Sequence, residues 1–225
     1  MGNSYDVIVV GKGNAALCSA LAAKDTGAKV LVIEAAPKDD HGGNSRFAGG
    51  VMRFAYDSVD DLMKVTDITE KELAESDFGT NTADEFFDDL FRLTQYRTDP
   101  DLSEILVRRS LDTMIWLREK GVRFVPNFGR QSALVDGRRK FFGRLPIEVS
   151  GGGAGLVDFL DKSIEKAQID VVYDTRVVSL IMDGCNVVGV NTHRDGQVIQ
   201  YYAKSVVLAC GGFEANPEMR TKYLG

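Results

Sequence analysis

The first strand and the turn after it constrain this chain more than any other stretch. Tyr5-Asp6-Val7-Ile8-Val9-Val10 is a mostly apolar run that ends in Gly11-Lys12-Gly13-Asn14-Ala15-Ala16. An Ala/Leu-rich helical pattern continues from Asn14 to about Thr26, and Gly27 is placed to end it. Lys29-Val30-Leu31-Val32-Ile33 then reads as a second strand closed by Glu34 and Ala35. Strand, tight turn, helix, strand and carboxylate in this order form a unit that holds a dinucleotide.

Each motif position has a physical reason. Gly11 lets the chain turn where a side chain would strain it. Gly13 lets a pyrophosphate approach the backbone, and Ala16 is small enough for the helix to pack closely on the strand. Asn14 and Ala15 open the helix, whose free N–H groups and positive dipole end would face the phosphates. Glu34 follows Gly11 by 23 residues, close to the expected spacing of about 20. Its carboxylate can accept hydrogen bonds from both ribose hydroxyls and would repel a phosphate there, so NADP is disfavoured. The motif alone leaves FAD and NAD open. An ordinary βαβ turn with a structural glycine pair is the plainer alternative.

With 225 residues, 44% of them apolar and 27% charged, the chain can build a substantial core. A net charge of −6 argues against a broad nucleic-acid surface. Cys18, Cys185 and Cys210 lie in or beside apolar segments and read as buried thiols in a reducing compartment. The two histidines, His41 and His193, and the scattered cysteines give no metal-ligand spacing. No basic-then-apolar leader and no run near the roughly 20 residues needed to cross a bilayer is present. The expectation is a soluble, cytoplasmic chain.

Residues 57–121 read as a helical insertion. Thr82-Ala83-Asp84-Glu85 is a capping box, with Phe86, Leu90 and Leu93 following at helical spacing. Asp99-Pro100 is a cap with proline at the first helical position. Leu102, Ile105, Leu106, Met114, Ile115 and Leu117 are expected to form one buried stripe, ended by Gly121. The aromatic residues here read as core rather than as a recognition surface. Residues 126–146 are irregular and carry Arg130, Arg138, Arg139, Lys140 and Arg144. They form either a solvated hairpin or a basic rim that attracts an anionic ligand.

Ser150-Gly151-Gly152-Gly153-Ala154-Gly155 precedes a helix expected over 156–167. No Gly-Lys-Ser/Thr follows, so it is not a triphosphate loop. Residues 170–202 read as a small antiparallel β-meander with turns at Asp183-Gly184 and Asp195-Gly196. Residues 204–209 read as a further buried strand, followed at once by Gly211-Gly212. That second strand-to-glycine junction would reach the same crevice as the first.

Taken together, these pieces resemble the flavoproteins of the fumarate reductase and succinate dehydrogenase type. The likeness rests on Gly11-x-Gly13, Glu34, the Gly42-Gly43-Asn44-Ser45 loop with Gly49-Gly50, and Ala209-Cys210-Gly211-Gly212-Phe213-Glu214-Ala215-Asn216. The runs Val9-Val10-Gly11-Lys12-Gly13-Asn14-Ala15-Ala16 and Gly43-Asn44-Ser45-Arg46-Phe47 look particularly similar to the tricarballylate dehydrogenase branch. The resemblance implies an α/β, Rossmann-type FAD-binding domain and non-covalent FAD. It places Gly11, Gly13 and Ala16 at the pyrophosphate, and Asn44 and Ser45 near pyrophosphate and flavin. Gly49 and Gly50 would pass close to the isoalloxazine. Val177 would give a backbone contact to adenine, with Gly211 and Gly212 flanking the cofactor from the far side. Membrane-bound members carry a flavin-linked histidine in the loop after the second strand. Here Asn44-Ser45 occupies its core and His41 lies just before it.

The resemblance further implies dehydrogenation or reduction of a small di- or tricarboxylate, with a separate electron acceptor. Family chains are roughly twice as long, and their substrate-clamping and proton-donating residues come from segments beyond those matched here. The chain therefore reads as an N-terminal part, with no catalytic side chain assigned, and as inactive alone. An NAD-binding domain and a non-catalytic dinucleotide-binding module are the rival readings. Homo-oligomerisation is left open.

Overall fold

The computed structural model describes residues 4–224. In chain order its first elements are β1 (Ser4–Val10), α1 (Asn14–Asp25), β2 (Val30–Ile33), α2 (Gly43–Phe47), α3 (Val59–Val65), α4 (Glu70–Glu75) and β3 (Ser76–Asp77). Then follow α5 (Ala83–Leu93), α6 (Pro100–Glu119), β4 (Phe124–Pro126), β5 (Ser132–Val135), β6 (Arg138–Phe141) and β7 (Ile147–Val149). The last are α7 (Gly152–Lys166), β8 (Asp170–Val172), β9 (Arg176–Asp183), β10 (Asn186–Arg194), β11 (Gln197–Leu208) and α8 (Pro217–Leu224). They divide into two units. One joins the chain up to Ala48 with the chain from Leu156 onward, and the other is Gly49–Gly155.

The first unit is built on a six-stranded sheet in the order β8-β2-β1-β11-β10-β9. β1 lies between β2 and β11 and is parallel to both. That is the Rossmann-type core expected from the strand–turn–helix start. Every residue of β2 is buried, as strands covered on both faces require. Ile8, Val10, Leu31, Ile33 and Val190 share one apolar cluster with Tyr5, Tyr201 and Ala203. α1 buries Ala16, Leu17, Ala20 and Leu21. Ala16 is wholly inaccessible, in keeping with its expected packing role. On α7, Leu156, Val157, Leu160 and Ile164 are buried at helical spacing.

Two strand expectations need correction. The strands expected over 198–202 and 204–209 are one strand, β11, which ends at Leu208. It pairs antiparallel with β10 through Gln197–Tyr202 and parallel with β1 through Tyr202–Leu208. The meander is thus an extension of the parallel sheet. Asp170–Val172 does not belong to the meander at all, because it pairs parallel with β2 at the opposite edge. Asp195-Gly196 does form the expected tight turn, with φ of 51° and 75°, as a two-residue type I′ hairpin requires.

The second unit carries the helices of the insertion, a β3-β6-β5 sheet and a β4-β7 pair. Both Thr82/Glu85 on α5 and Thr69/Glu72 on α4 form reciprocal capping boxes. Asp99 caps α6 by accepting from the Leu102 N–H. The expected apolar stripe of α6 is wrong in its first half. Leu102, Ile105 and Leu106 are more than half exposed, and the buried face is Ser103, Val107, Ser110, Met114 and Leu117. Two serines can line it because their hydroxyls are satisfied. Ser103 donates to the Asp99 carbonyl, and Ser110 donates to Val107 while accepting from the Ala55 N–H. Phe86 is buried whereas Leu93 and Tyr96 are exposed.

The basic stretch is a hairpin, β5–β6, turning at Asp136-Gly137 with positive φ at both. Its arginines are engaged within the unit. Arg138 donates to the Ser76 carbonyl, Arg139 to Phe128 and Ser132, and Arg144 pairs with Glu85 and Asp89. These contacts bear out the hairpin reading for the stretch. The cysteines also depart from expectation, since Cys185 and Cys210 are exposed and Cys18 is half-buried. Among the described residues, no helix is long and apolar enough to cross a membrane, and no cluster of metal-ligating side chains occurs.

Candidate dinucleotide site

The parallel register sets the site. Val10 pairs with Ile33 on one side and Leu208 on the other, so β1, β2 and β11 end together. Ligands of open α/β sheets bind outside such carboxyl ends, and a cavity of about 500 Å³ opens there.

Gly11 and Gly13 form its base. Gly11 has φ of 105°, and a Cβ on it would lie 2.5 Å from the Ala209 carbonyl oxygen. The Gly11 N–H donates to the Ile33 carbonyl and the Ala209 N–H to the Val10 carbonyl. This approach brings the first and second glycine junctions together. α1 starts at Asn14 without a side-chain cap. The Asn14 N–H donates instead to Ser45 Oγ at 3.0 Å. Gly13 keeps that contact open, since its Cβ would stand 3.3 Å from the same oxygen.

Glu34 and Ala35 line the cavity at the end of β2. Glu34 Oε1 accepts from the Ala36 N–H at 2.8 Å, and Oε2 takes no part in that bond. The Glu34 backbone donates to Val172 and accepts from Thr175. These bonds hold Thr175, Arg176 and Val177 along the cavity wall. Gly43, Asn44 and Ser45 line another side, and Ala209, Gly211 and Gly212 a third. Asn44 Nδ2 donates to Glu214 Oε2 at 2.6 Å. Of the expected site residues, Ala16 packs beneath rather than lining the cavity. Gly49 and Gly50 belong to the second unit. There Gly50 has φ of 77°, and a Cβ on it would meet the Gly152 Cα at 2.6 Å.

Sequence reasoning missed the residues behind the turn. Lys12 is buried, with 1% exposure. Its ammonium is ion-paired to Asp161 Oδ1 on α7. Asp161 Oδ2 stands 2.5 Å from His41 Nε2, an ion-pair distance without hydrogen-bond geometry. His41 Nδ1 faces the Lys38 carbonyl at 2.5 Å. Burial pushes Lys12 down to about 8. Burial also lowers His41, and it pushes the Cys18 thiol up to about 11. The available signal was a lysine inside an otherwise small and apolar turn. Its partner, 149 residues away, could not be read from the sequence.

The arrangement fits a dinucleotide. It offers a glycine cradle that a Cβ would fill, an uncapped helix start for a diphosphate, and a carboxylate at the end of β2 for ribose hydroxyls. Comparison with known proteins agrees. The NADH:fumarate oxidoreductase of Klebsiella pneumoniae (strain 342) is 32% identical over 221 residues, covering 98% of this chain and 22% of that protein. A fumarate reductase (cytochrome) of Shewanella frigidimarina is 30% identical over 224 residues, covering 98% of this chain and 35% of its own length. The open conformation of a flavocytochrome c3 fumarate reductase superposes with a TM-score of 0.73 at 28% identity, covering 98% of this chain and 36% of that one. This chain thus spans about a third or less of these relatives. The family described as FAD binding domain matches residues 6–224. With that match over a Rossmann-type cavity of this form, the chain belongs to the FAD binding domain family, and its cofactor is FAD.

Proposed function

We propose that the chain is the cofactor-holding part of an oxidoreductase that reduces the carbon–carbon double bond of a small carboxylate such as fumarate. The observation that carries this reading is the FAD-type cavity at the ends of β1, β2 and β11, in a chain similar to two proteins named for fumarate reduction. When bound, FAD supplies two-electron hydride chemistry, and the protein supplies its position and surroundings. In this reading Gly11, Gly13, Asn14 and Ala15 cradle the diphosphate. Glu34 and Ala35 hold the ribose, and the Val177 backbone meets adenine. Gly43, Asn44, Ser45, Ala209, Gly211 and Gly212 flank the remainder. Attachment is non-covalent, with both His41 ring nitrogens turned to Lys38 and Asp161. A separate electron partner completes the cycle.

A second reading, oxidation of tricarballylate to an enoate, rests on the Val9–Ala16 and Gly43–Phe47 sequence runs. The relatives named above favour reduction over it. The test compares the protein and a longer version of it, with FAD identified after denaturation. Fumarate reduction by a reduced dye and tricarballylate oxidation by an oxidised dye are then measured. Fumarate turnover exceeding tricarballylate turnover supports the proposal, and the reverse supports the second reading. Release of NAD in place of FAD would sink both.

Glu34→Ala is expected to weaken FAD binding by about 1.5–3 kcal/mol, the range for charge-assisted hydrogen bonds. Fluorescence titration against wild type reads it directly. An unchanged Kd would remove Glu34 from the ribose site.

A further inference from the structure

Two ties hold the Gly-x-Gly turn, one on each side. At the cavity, the Asn14 N–H donates to Ser45 Oγ. Behind it, Lys12 reaches Asp161, whose other oxygen faces His41. One carboxylate on α7 thus links the turn after β1 to the segment that leads into α2. Those two segments carry Gly11, Gly13, Asn14, Gly43, Asn44 and Ser45, all lining the cavity. Gly42, between His41 and α2, packs on Val157 of the same helix, where a Cβ would come within 3.1 Å. The Lys12 ammonium also lies 5.4 Å from the Tyr173 ring centroid, and the Tyr173 ring meets His41 edge-on at 5.9 Å.

We infer that Lys12 is a positioning residue for the FAD diphosphate: by binding Asp161, and through it facing His41, it fixes the Gly-x-Gly turn and the Gly43–Phe47 helix in the spacing that the cofactor needs. A lysine serves here because its long stem crosses the packed layer and its charge demands a partner. A buried ion pair brings little net stability over apolar residues of similar volume, since desolvation offsets the attraction. It does fix geometry, because an ammonium and a carboxylate accept few arrangements. Other charges also act on Lys12: Glu34 at the end of β2, Glu165 on α7, Lys38 in the loop after β2 and Arg46 on α2. The two glutamates favour its charged form, while Lys38 and Arg46 oppose it.

Removing the lysine alone leaves the half-buried Asp161 unpaired beside His41. His41 can then take a proton and pair with it, which becomes easier as pH falls. A purely structural pair would behave differently from a positioning one, and the double variant separates them. Lys12→Met is expected to weaken FAD binding about tenfold or more at pH 8, with part of the affinity returning by about pH 6 as His41 charges. Lys12→Arg, which keeps the charge, should stay within about threefold of wild type. Lys12→Met with Asp161→Leu should restore the cofactor-free thermal midpoint to within about 3 °C. Its FAD affinity should remain about tenfold weaker and lose any pH dependence tied to His41. Flavin fluorescence titration from pH 6 to 9, beside thermal melts without FAD, reads all three. A double variant that binds FAD within about twofold of wild type would overturn the inference. So would a double variant that fails to fold, because the pair would then be structural.

Discussion

Gly11→Ala should be strongly destabilising. The added Cβ would stand 2.5 Å from the Ala209 carbonyl oxygen, at a φ of 105° that side chains rarely adopt. The obstacle is backbone, not the end of a flexible side chain, so it cannot swing aside. Relief requires β1 and β11 to part at their carboxyl ends, breaking the Ala209-to-Val10 hydrogen bond. Positive-φ strain and the clash together should cost about 3–5 kcal/mol. Urea unfolding of the variant and the wild type gives the value. A loss below about 1 kcal/mol would mean that the two glycine junctions do not meet as closely as described.

Gly13→Trp should do the opposite, sparing the fold and removing the cofactor. Gly13 has φ of −81°, open to any residue. Its Cβ would meet only Ser45 Oγ at 3.3 Å and the Gly42 carbonyl at 3.5 Å. A methyl group there asks for a small adjustment, whereas an indole must project into the cavity. FAD affinity should fall at least about a hundredfold, or about 3 kcal/mol, with circular dichroism unchanged. Wild-type affinity in the folded variant would show that the diphosphate does not lie over this turn. The two glycines thus fail for different reasons, one through the backbone of β11 and one through the ligand.

The sheet that positions the site was legible because its signals are local. Residues 5–16 and 29–34 carry apolar strands, a glycine turn and a timed carboxylate within one βαβ unit. Capping boxes are also local, and Thr82/Glu85 forms as its spacing predicts. Errors arose where long-range packing decides. On α6 the apolar residues near the N-terminus suggested a buried face, but the face that packs is set by Val107, Met114 and Leu117. Ser103 and Ser110 are accepted there because backbone groups satisfy their hydroxyls. A hydropathy pattern gives such serines no credit. The partners of Arg144, Glu85 and Asp89, were illegible for a similar reason: they lie far off in sequence.

By itself the sequence determined that a strand–glycine turn–helix–strand unit opens the chain, and that the glycines of its turn and the carboxylate after its second strand belong to one cavity. These depend on backbone freedom, side-chain size and spacing within a few dozen residues. Tertiary structure alone decided that β11 is one continuous strand, antiparallel to β10 in its first half and parallel to β1 in its second. It also decided that Asp161 and His41 stand behind Lys12. Contacts across 149 residues of chain are fixed by the sheet register and by the packing of α7, which no local pattern encodes.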